Sequence, residues 1–447
     1  MKGTLGPDHV TTKLERIVEL AKKSPKLVLT TLAHHIDEGF LHEAYRRTRK
    51  DGASGVNGQT AQEYAADLQN NLSRLLESFK SGTYRAPPVL RVQIPKGDGR
   101  KTRPIGIPTF EDKVLQRAVT MVLEAVYEQD FLDCSYGFRP GRSAHQALQA
   151  LWRELTLQGG GWVLEVDVQG FFDSLDHQRL RGFLDQRMRD GIIRRMIDKW
   201  LKAGVLEGRE FRFPEQGTPQ GGVVSPLLAN VYLHEVLDTW FEETVKPRLR
   251  GAARLIRYAD DFVIVFQREE DARKTWDVLP KRFEKYGLKL HPEKTRLVKF
   301  HRPEPPGQQQ TGGDAQPRTF DLLGFTHYWG KSFRGNLVVK RKTAKDRLNR
   351  ALKITGCWCR ANRHLSIGEQ QKALDRKLKG HYSYYGITGN MLALQRFFER
   401  VKVVWRKWLH RRSQRARMTW QRFHLLLERY PLARPRVVHS VYARSEP

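Results

Sequence analysis

Two hydrophobic periodicities divide the chain. Through its middle, short apolar runs come in pairs around a few polar residues, whereas both ends space their apolar residues at helical intervals. The clearest pair is Leu255-Ile-Arg-Tyr-Ala-Asp-Asp-Phe-Val-Ile-Val-Phe266, which predicts a buried hairpin with Asp260 and Asp261 at or beside its turn. Trp162 to Val168 alternates as a strand, with Val163, Glu165 and Asp167 on one face and Gly170 marking its bend. Val89 to Pro108 reads as two β-like runs around Lys96-Gly-Asp-Gly99, a hairpin pattern. Leu68, Leu72, Leu75, Leu76 and Phe79 predict a helix over 61–79. Further helices are expected over 111–127, over 144–155 with Ser143 as cap, over 227–237 with Pro226 in its first turn, and over 271–286. Residues 1–50 also read as helices. Residues 301–319, rich in Pro, Gly and Gln, form a loop insertion before Phe320 to His327 restores the pattern, and the remainder is helical.

The acids in these runs carry the candidate chemistry. Neighbouring strand residues face opposite ways, so Asp260 and Asp261 can serve one ligand only where the backbone bends. A lone buried carboxylate costs several kcal/mol, so acids in an apolar run need a partner, and a divalent cation suits two of them. The plain alternative is a polar hairpin tip, Asp being a common turn residue. Asp167, at a strand end, is placed either as a third metal ligand or as the cap of a helix starting near Ser174. The 89–108 hairpin carries Arg91, Lys96, Arg100, Lys101 and Arg103, which suit phosphate clamps better than mere protection of an edge strand. Ser135 to Ser143 interleaves aromatics with arginines, as stacking beside phosphate requires. Asp51 to Gly58 is a glycine-rich loop, and Gly221-Gly222 lets backbone approach a ligand closely.

Charge sharpens the picture. The 447 residues, enough for two or three domains, hold 79 Lys+Arg against 49 Asp+Glu, a formal charge of +30. From Lys331 onward there are 29 basic against 6 acidic residues, whereas the first 330 hold 50 against 43. Such a skew points to nucleic acid. No apolar stretch reaches eighteen residues and the first residues lack the apolar core of a signal peptide, so an intracellular, cytoplasmic protein without a membrane partner is expected. Cys134, Cys357 and Cys359 suit neither a disulfide framework nor a four-ligand zinc site. Asp167, Asp260 and Asp261 fit a site for two Mg²⁺ ions, with Lys96 and Arg103 supplying charge for a triphosphate, which is the equipment of nucleotidyl transfer.

Arg257-Tyr-Ala-Asp-Asp-Phe262 resembles the catalytic box of reverse transcriptases. Arg103-Pro-Ile-Gly-Ile-Pro108, Ser135 to Ser143, Asp167-Val-Gln-Gly-Phe-Phe-Asp173, Gly217-Thr-Pro-Gln-Gly-Gly222, His291-Pro-Glu-Lys-Thr295 and Leu323-Gly-Phe325 match in order. With Asp51 to Gly58 they resemble group II intron-encoded reverse transcriptase-maturases. The resemblance implies an α+β right-hand polymerase, with fingers and palm over 1–330 (N-terminal extension 1–50), an all-helical thumb or maturase domain over 331–412, and a short basic DNA-binding tail over 413–447. It implies metal ligation by Asp167, Val168, Asp260 and Asp261, and a gate against the 2′-hydroxyl at Phe172. Gln220 would meet the incoming nucleotide, Lys294 its phosphates, and Leu323, Gly324 and Phe325 would grip the primer. Lys402, Arg406, Lys407, Arg411 and Arg412 share a helix with Val401, Val404, Trp405 and Trp408, and are assigned to intron-RNA binding, the two tryptophans to the core. The implied partners are group II intron RNA, target DNA, an RNA template with its primer, and deoxynucleotides. Two departures are visible. Asn57 stands where the family commonly has Asp, and the sequence stops without the paired-cysteine, histidine-rich nuclease module of many relatives, so second-strand cleavage is not expected. A free-standing relative in defence or repair, and a splicing factor without polymerase activity, are the competing expectations.

Overall fold

The computed structural model describes residues 7–96, 101–208, 210–212, 217, 221–303, 319–413 and 417–440. The chain opens with α1 (Pro7–Lys23) and α2 (Glu38–Arg47), followed by α3 (Ala61–Ala65) and α4 (Leu68–Ser81). The single helix expected over 61–79 is therefore two. Thr60 and Glu63 close a capping box on α3, a second start follows at Leu68, and α4 stops at Gly82 in the left-handed region. Next come β1 (Val89–Lys96), β2 (Lys101–Ile107), α5 (Phe110–Tyr127) and α6 (Ala144–Leu157), whose first turn takes the Ser143 hydroxyl at the Gln146 amide. β3 (Trp162–Val166), β4 (Val168–Gln169), α7 (His177–Asp185), α8 (Gly191–Leu201), β5 (Val205–Glu207) and β6 (Glu210–Arg212) lead to α9 (Ser225–Leu233). α9 runs on as π-helical turns at His234–Asp238 and Trp240–Val245, well past the expected end. Then follow β7 (Ala253–Tyr258), β8 (Asp261–Phe266), α10 (Glu269–Lys285), β9 (Lys289–Leu290), β10 (Arg296–Lys299), β11 (Phe320–Leu322), β12 (Phe325–Lys331) and β13 (Leu337–Thr343). The chain closes on α11 (Lys345–Ala361), α12 (Ile367–Tyr385), α13 (Met391–His410) and α14 (Trp420–Arg429).

Contacts group these elements into two compact units. One holds residues 1–96, 102–147 and 163–297, the other 97–101, 148–162 and 298–447. In the first, β7 and β8 pair antiparallel from Ala253↔Phe266 to Tyr258↔Asp261, and β3 lies next to β8. Leu255, Ile256 and Phe262 to Phe266 are all buried, as a strand pair covered on both faces requires. A second sheet, in the order β2-β1-β5-β6, pairs β1 with β5 in parallel. The predicted strand 162–168 is interrupted at Asp167: β3 belongs to the β8 sheet, whereas Val168 pairs with Leu290 of β9. Asp167 thus stands where the chain changes partner, and its carbonyl accepts the His291 amide.

In the second unit β11, β12 and β13 form an antiparallel sheet, and α11 to α14 pack around Trp405, Leu374, Leu378, Phe397, Val401 and Phe423. The sheet belongs with the helices, so the boundary read at residue 330 falls inside this unit. Most of the expected 301–319 loop, residues 304–318, lies outside the described residues. The basic tail is docked rather than a free arm: Phe423 packs on Trp405, and the Val438 and His439 amides both bond the Gly386 carbonyl. Among the described residues no helix is long and apolar enough to cross a membrane.

Candidate active site

The β7–β8 turn is held from beneath by a buried arginine. Arg257 and Asp238 are both fully buried and bond through two pairs of atoms, at 2.7 and 2.5 Å. A third guanidinium nitrogen of Arg257 donates to the Ala259 carbonyl and to Asn230 Oδ1, each at 3.0 Å. Burial works against the charge on Arg257, yet the Asp238 carboxylate outweighs it and holds the pKa above the ordinary arginine value. Ala259 needs this support, since its φ of +57° is unfavourable for a residue with a Cβ. Asn230 in turn donates to the Gly137 carbonyl, and a Cβ at Gly137 would stand 2.3 Å from the Ala259 nitrogen. Cys134 to Tyr136 run alongside β7, bonding Arg257 through both its amide and its carbonyl at 2.8 Å. Asp238 itself sits in the π-helical extension of α9, a geometry often found at functional sites.

This arrangement corrects the reading of Ser135 to Ser143 as a stacking and phosphate surface. Arg139 is buried, bonded to Glu128 and to the Leu132 and Ser135 carbonyls, and Arg142 pairs with Asp133. Only Phe138, 55 % exposed, keeps a ring available from that block. Arg91 of β1 is likewise turned to Glu207, at 3.6 Å. Arg103 remains exposed, without an ion pair among the described residues. The side chain of Lys96, and Arg100 and Gln220, lie outside the described residues.

Of the three expected metal ligands, Asp260 lies in the turn, Asp261 opens β8, and Asp167 follows directly on the neighbouring β3. Asp167 does not cap a helix: α7 starts at His177 with Asp176 as its cap. Its carboxylate meets the Lys294 ammonium at 2.5 Å, and Glu165 beside it meets Arg296 at 2.8 Å. Among the described residues no group of three His, Cys, Asp or Glu side chains is close enough to hold a metal ion. The donor chemistry still fits a hard divalent cation, since the acids are partly exposed carboxylates at the ends of adjacent strands. The Lys294 ammonium marks where positive charge is held, and Asp167 would have to release it to take up a metal.

Two glycines tie the nucleotide motifs together. A Cβ at Gly217 would meet the Phe172 carbonyl at 2.7 Å, and one at Gly221 the Gly106 carbonyl at 2.5 Å. Gly217 therefore lies against Phe172, and Gly221 against the Arg103–Pro108 block. Phe172, half-buried in a short turn, packs edge-on against the buried Phe171. The Asn57 side chain accepts the Gln59 amide in a local turn.

Sequence reasoning missed the polar pair that anchors the end of this stretch. Asp112 of α5 is buried and accepts from Trp200 Nε1, Gln116 Nε2 and the Tyr84 hydroxyl. Gln116 Oε1 then accepts the Val223 amide at 2.7 Å, directly after Gly221-Gly222. The available signal was a carboxylate on the core side of an amphipathic helix. Burial raises the Asp112 carboxyl to about 6, against the lowering effect of its three donors. A carboxyl raised on folding favours the native state at low pH, and that advantage is lost as pH climbs from about 4 through 6. The shift of about two units corresponds to roughly 3 kcal/mol. Wild-type stability minus that of Asp112→Asn, measured by urea unfolding at pH 4.5 and 7.5, should fall by an amount of this order. A pH-independent difference would mean that Asp112 keeps its ordinary pKa.

The remaining expected sites lie in the second unit. Leu323 and Gly324, with φ of +50° and +78°, form the two-residue turn between β11 and β12. Tyr384 donates to the Leu323 carbonyl at 2.9 Å. Phe325 is fully buried against Tyr384 and Tyr385, so its ring belongs to the core and cannot reach a primer as expected. On α13, Lys402 pairs with Glu399, and Arg406 bonds the Met418 carbonyl beneath Trp420. Lys407, Arg411 and Arg412 are exposed. Trp405 is core as expected. Trp408 is only partly buried and is flanked by Arg360, Lys407 and Arg411 at about 6 Å from its ring centre.

The Reverse transcriptase (RNA-dependent DNA polymerase) sequence pattern matches residues 94–327, just over half of the chain. The group II intron-encoded protein LtrA of Lactococcus lactis subsp. cremoris is 35% identical over 303 residues, covering 65% of this chain and 50% of that protein. Protein YkfC of Escherichia coli strain K12 is 35% identical over 282 residues, 56% of this chain and 74% of that one. The mitochondrial nuclear intron maturase 2 of Arabidopsis thaliana is 30% identical over 180 residues, 31% of this chain and 24% of that one. This chain spans about half the length of the first of these. With its Asp-Asp turn, the third aspartate on the adjoining strand and a sequence match over just those segments, the chain belongs to the reverse transcriptase family and is similar to the intron-encoded proteins within it.

Proposed function

We propose that this chain is the RNA-directed DNA polymerase of a group II intron, copying intron RNA into DNA and assisting its splicing. The observation that carries the polymerase reading is the Asp260-Asp261 turn, fixed by Arg257 beside the strand that Asp167 directly follows. Family membership implies dependence on a divalent metal in general; two Mg²⁺ ions held by Asp167, Asp260, Asp261 and the backbone of Val168 are our assignment. When bound, such ions would supply the positive charge that favours an ionised primer 3′-hydroxyl and a departing pyrophosphate. The chain's own residues do the rest. Arg103, with Lys96, draws the triphosphate in, Lys294 exchanges its hold on Asp167 for the phosphates, and Gln220 meets the nucleotide beside Gly221. Leu323 and Gly324 position the primer through the turn backbone. We assign the first unit to fingers and palm, α11 to α13 to the thumb, and α14 with the following segment to target DNA.

Primer extension on an RNA template, with and without Mg²⁺, tests the assignment, and metal-independent or absent extension would sink it. Phe172 follows Asp167 by five residues and flanks Gly217, where its ring would meet a 2′-hydroxyl. Phe172→Ala should therefore raise ribonucleotide incorporation at least tenfold relative to deoxynucleotide. Unchanged discrimination in single-nucleotide extension would remove Phe172 from the nucleotide site.

The maturase part rests on the charge beyond Lys331. Replacing Lys407, Arg411 and Arg412 by Gln should weaken intron-RNA binding and lower the slope of log affinity against log salt by roughly 2, as three lost phosphate contacts require. Their exposure keeps the fold out of the comparison. Asp260→Asn with Asp261→Asn should bind the same RNA normally and still promote splicing. Equal loss of RNA binding in both variants would refute an independent basic surface.

A further inference from the structure

The first unit contains a cavity of about 630 Å³ built by the link from α4 to β1, by α8 and by the β5–β6 ribbon. None of these elements carries a candidate catalytic carboxylate. Arg85, Arg195, Lys199 and Lys202 line it, against one acid, Asp198, which already pairs with Arg181 at 2.6 Å. Lys199 is spent on the Gly82 and Tyr84 carbonyls, at 2.6 Å each, and so fixes the rim. Arg85, Arg195 and Lys202 are exposed, and their side chains have no hydrogen bond or ion pair among the described residues. Phe211 of β6 stands at the same cavity 60 % exposed, a large ring that the core does not use.

Three free cations around a pocket big enough for one nucleotide, with a bare aromatic ring on its wall, combine phosphate attraction with a stacking surface. A pocket for an acidic peptide would have the cations without a use for the ring. An apolar ligand would leave the cations unpaired. We propose that this cavity binds a single nucleoside phosphate, its phosphate between Arg85 and Lys202 and its base against Phe211, separately from the polymerase centre. A nucleotide extruded from a single strand of RNA and a free nucleotide present the same chemistry, and the test separates them. The proposal rests on the RNA-handling reading above only in its choice of probe.

The full-length protein is irradiated with an RNA hexamer carrying 5-iodouridine, which couples to stacked aromatic rings, and adducts are mapped by mass spectrometry. An adduct at Phe211 is expected, absent in Phe211→Leu. In Arg85→Ala/Lys202→Ala the RNA concentration for half-maximal coupling at Phe211 should rise about tenfold, with adducts elsewhere unchanged. Suppression of the Phe211 adduct by uridine monophosphate at the hexamer's own half-saturating concentration assigns the pocket to free nucleotides; no suppression at that concentration assigns it to the strand. Adducts forming elsewhere but not at Phe211, or coupling there that ignores the loss of both cations, overturns the proposal. Extension on an RNA template by the same variants should stay at the wild-type rate. Lost extension in the wild-type protein with the Phe211 adduct intact would count against the polymerase reading and not against the pocket.

Discussion

Asp260→Asn, and separately Asp167→Asn, should lower RNA-templated DNA synthesis by at least about a thousandfold, roughly 4 kcal/mol of transition-state stabilisation, while leaving the fold intact. Both side chains are partly exposed, and neither lies in the packed core that sets stability. Asp167 spends its carboxylate on the half-exposed Lys294, a pair that contributes little to folding. The loss therefore falls on chemistry alone. The measurement is single-turnover extension of an annealed primer, with circular dichroism melting as the control. Either variant retaining more than a few per cent of the wild-type rate with an unchanged melt would remove that aspartate from the catalytic set.

Arg257→Met should act on stability and on activity together, by two separable routes. It leaves the Asp238 carboxylate charged, fully buried and without its partner, which costs about 3–5 kcal/mol. It also takes the donor from the Ala259 carbonyl, the group that keeps the turn in its positive-φ shape. Adding Asp238→Leu removes the stranded charge, so the double variant should recover most of the lost stability in urea unfolding. It should not recover extension, because Ala259 remains unsupported. Recovery of both would mean that Arg257 only balances Asp238. Recovery of neither would mean that the pair is worth more than its charges.

The amino-acid sequence by itself determined the Asp-Asp hairpin, the aspartate at the strand end, the Ser143 cap, Pro226 in the first turn of its helix, and the basic segment beyond Lys331. Each is a local signal: a pair of apolar runs broken by two acids, a hydroxyl before a helix, a sum of charges. Family membership was legible for the same reason, since its motifs are contiguous. What the tertiary structure decided was the use made of side chains whose meaning depends on a distant partner. Arg139 and Arg91 look like phosphate ligands in isolation, yet Glu128 and Glu207 claim them. Phe325 looks available beside its turn, yet Tyr384 and Tyr385 enclose it. Asp238, Asn230 and Gln116 carry no local pattern, because a buried polar group is defined by what it bonds. The same holds for the cavity at Phe211, where Arg85 precedes Arg195 and Lys202 by more than a hundred residues and meets them only where α8 packs against the link from α4 to β1. Short-range periodicity fixes secondary structure through backbone geometry, but the desolvation that forces polar groups into pairs exists only once the chain has closed on itself.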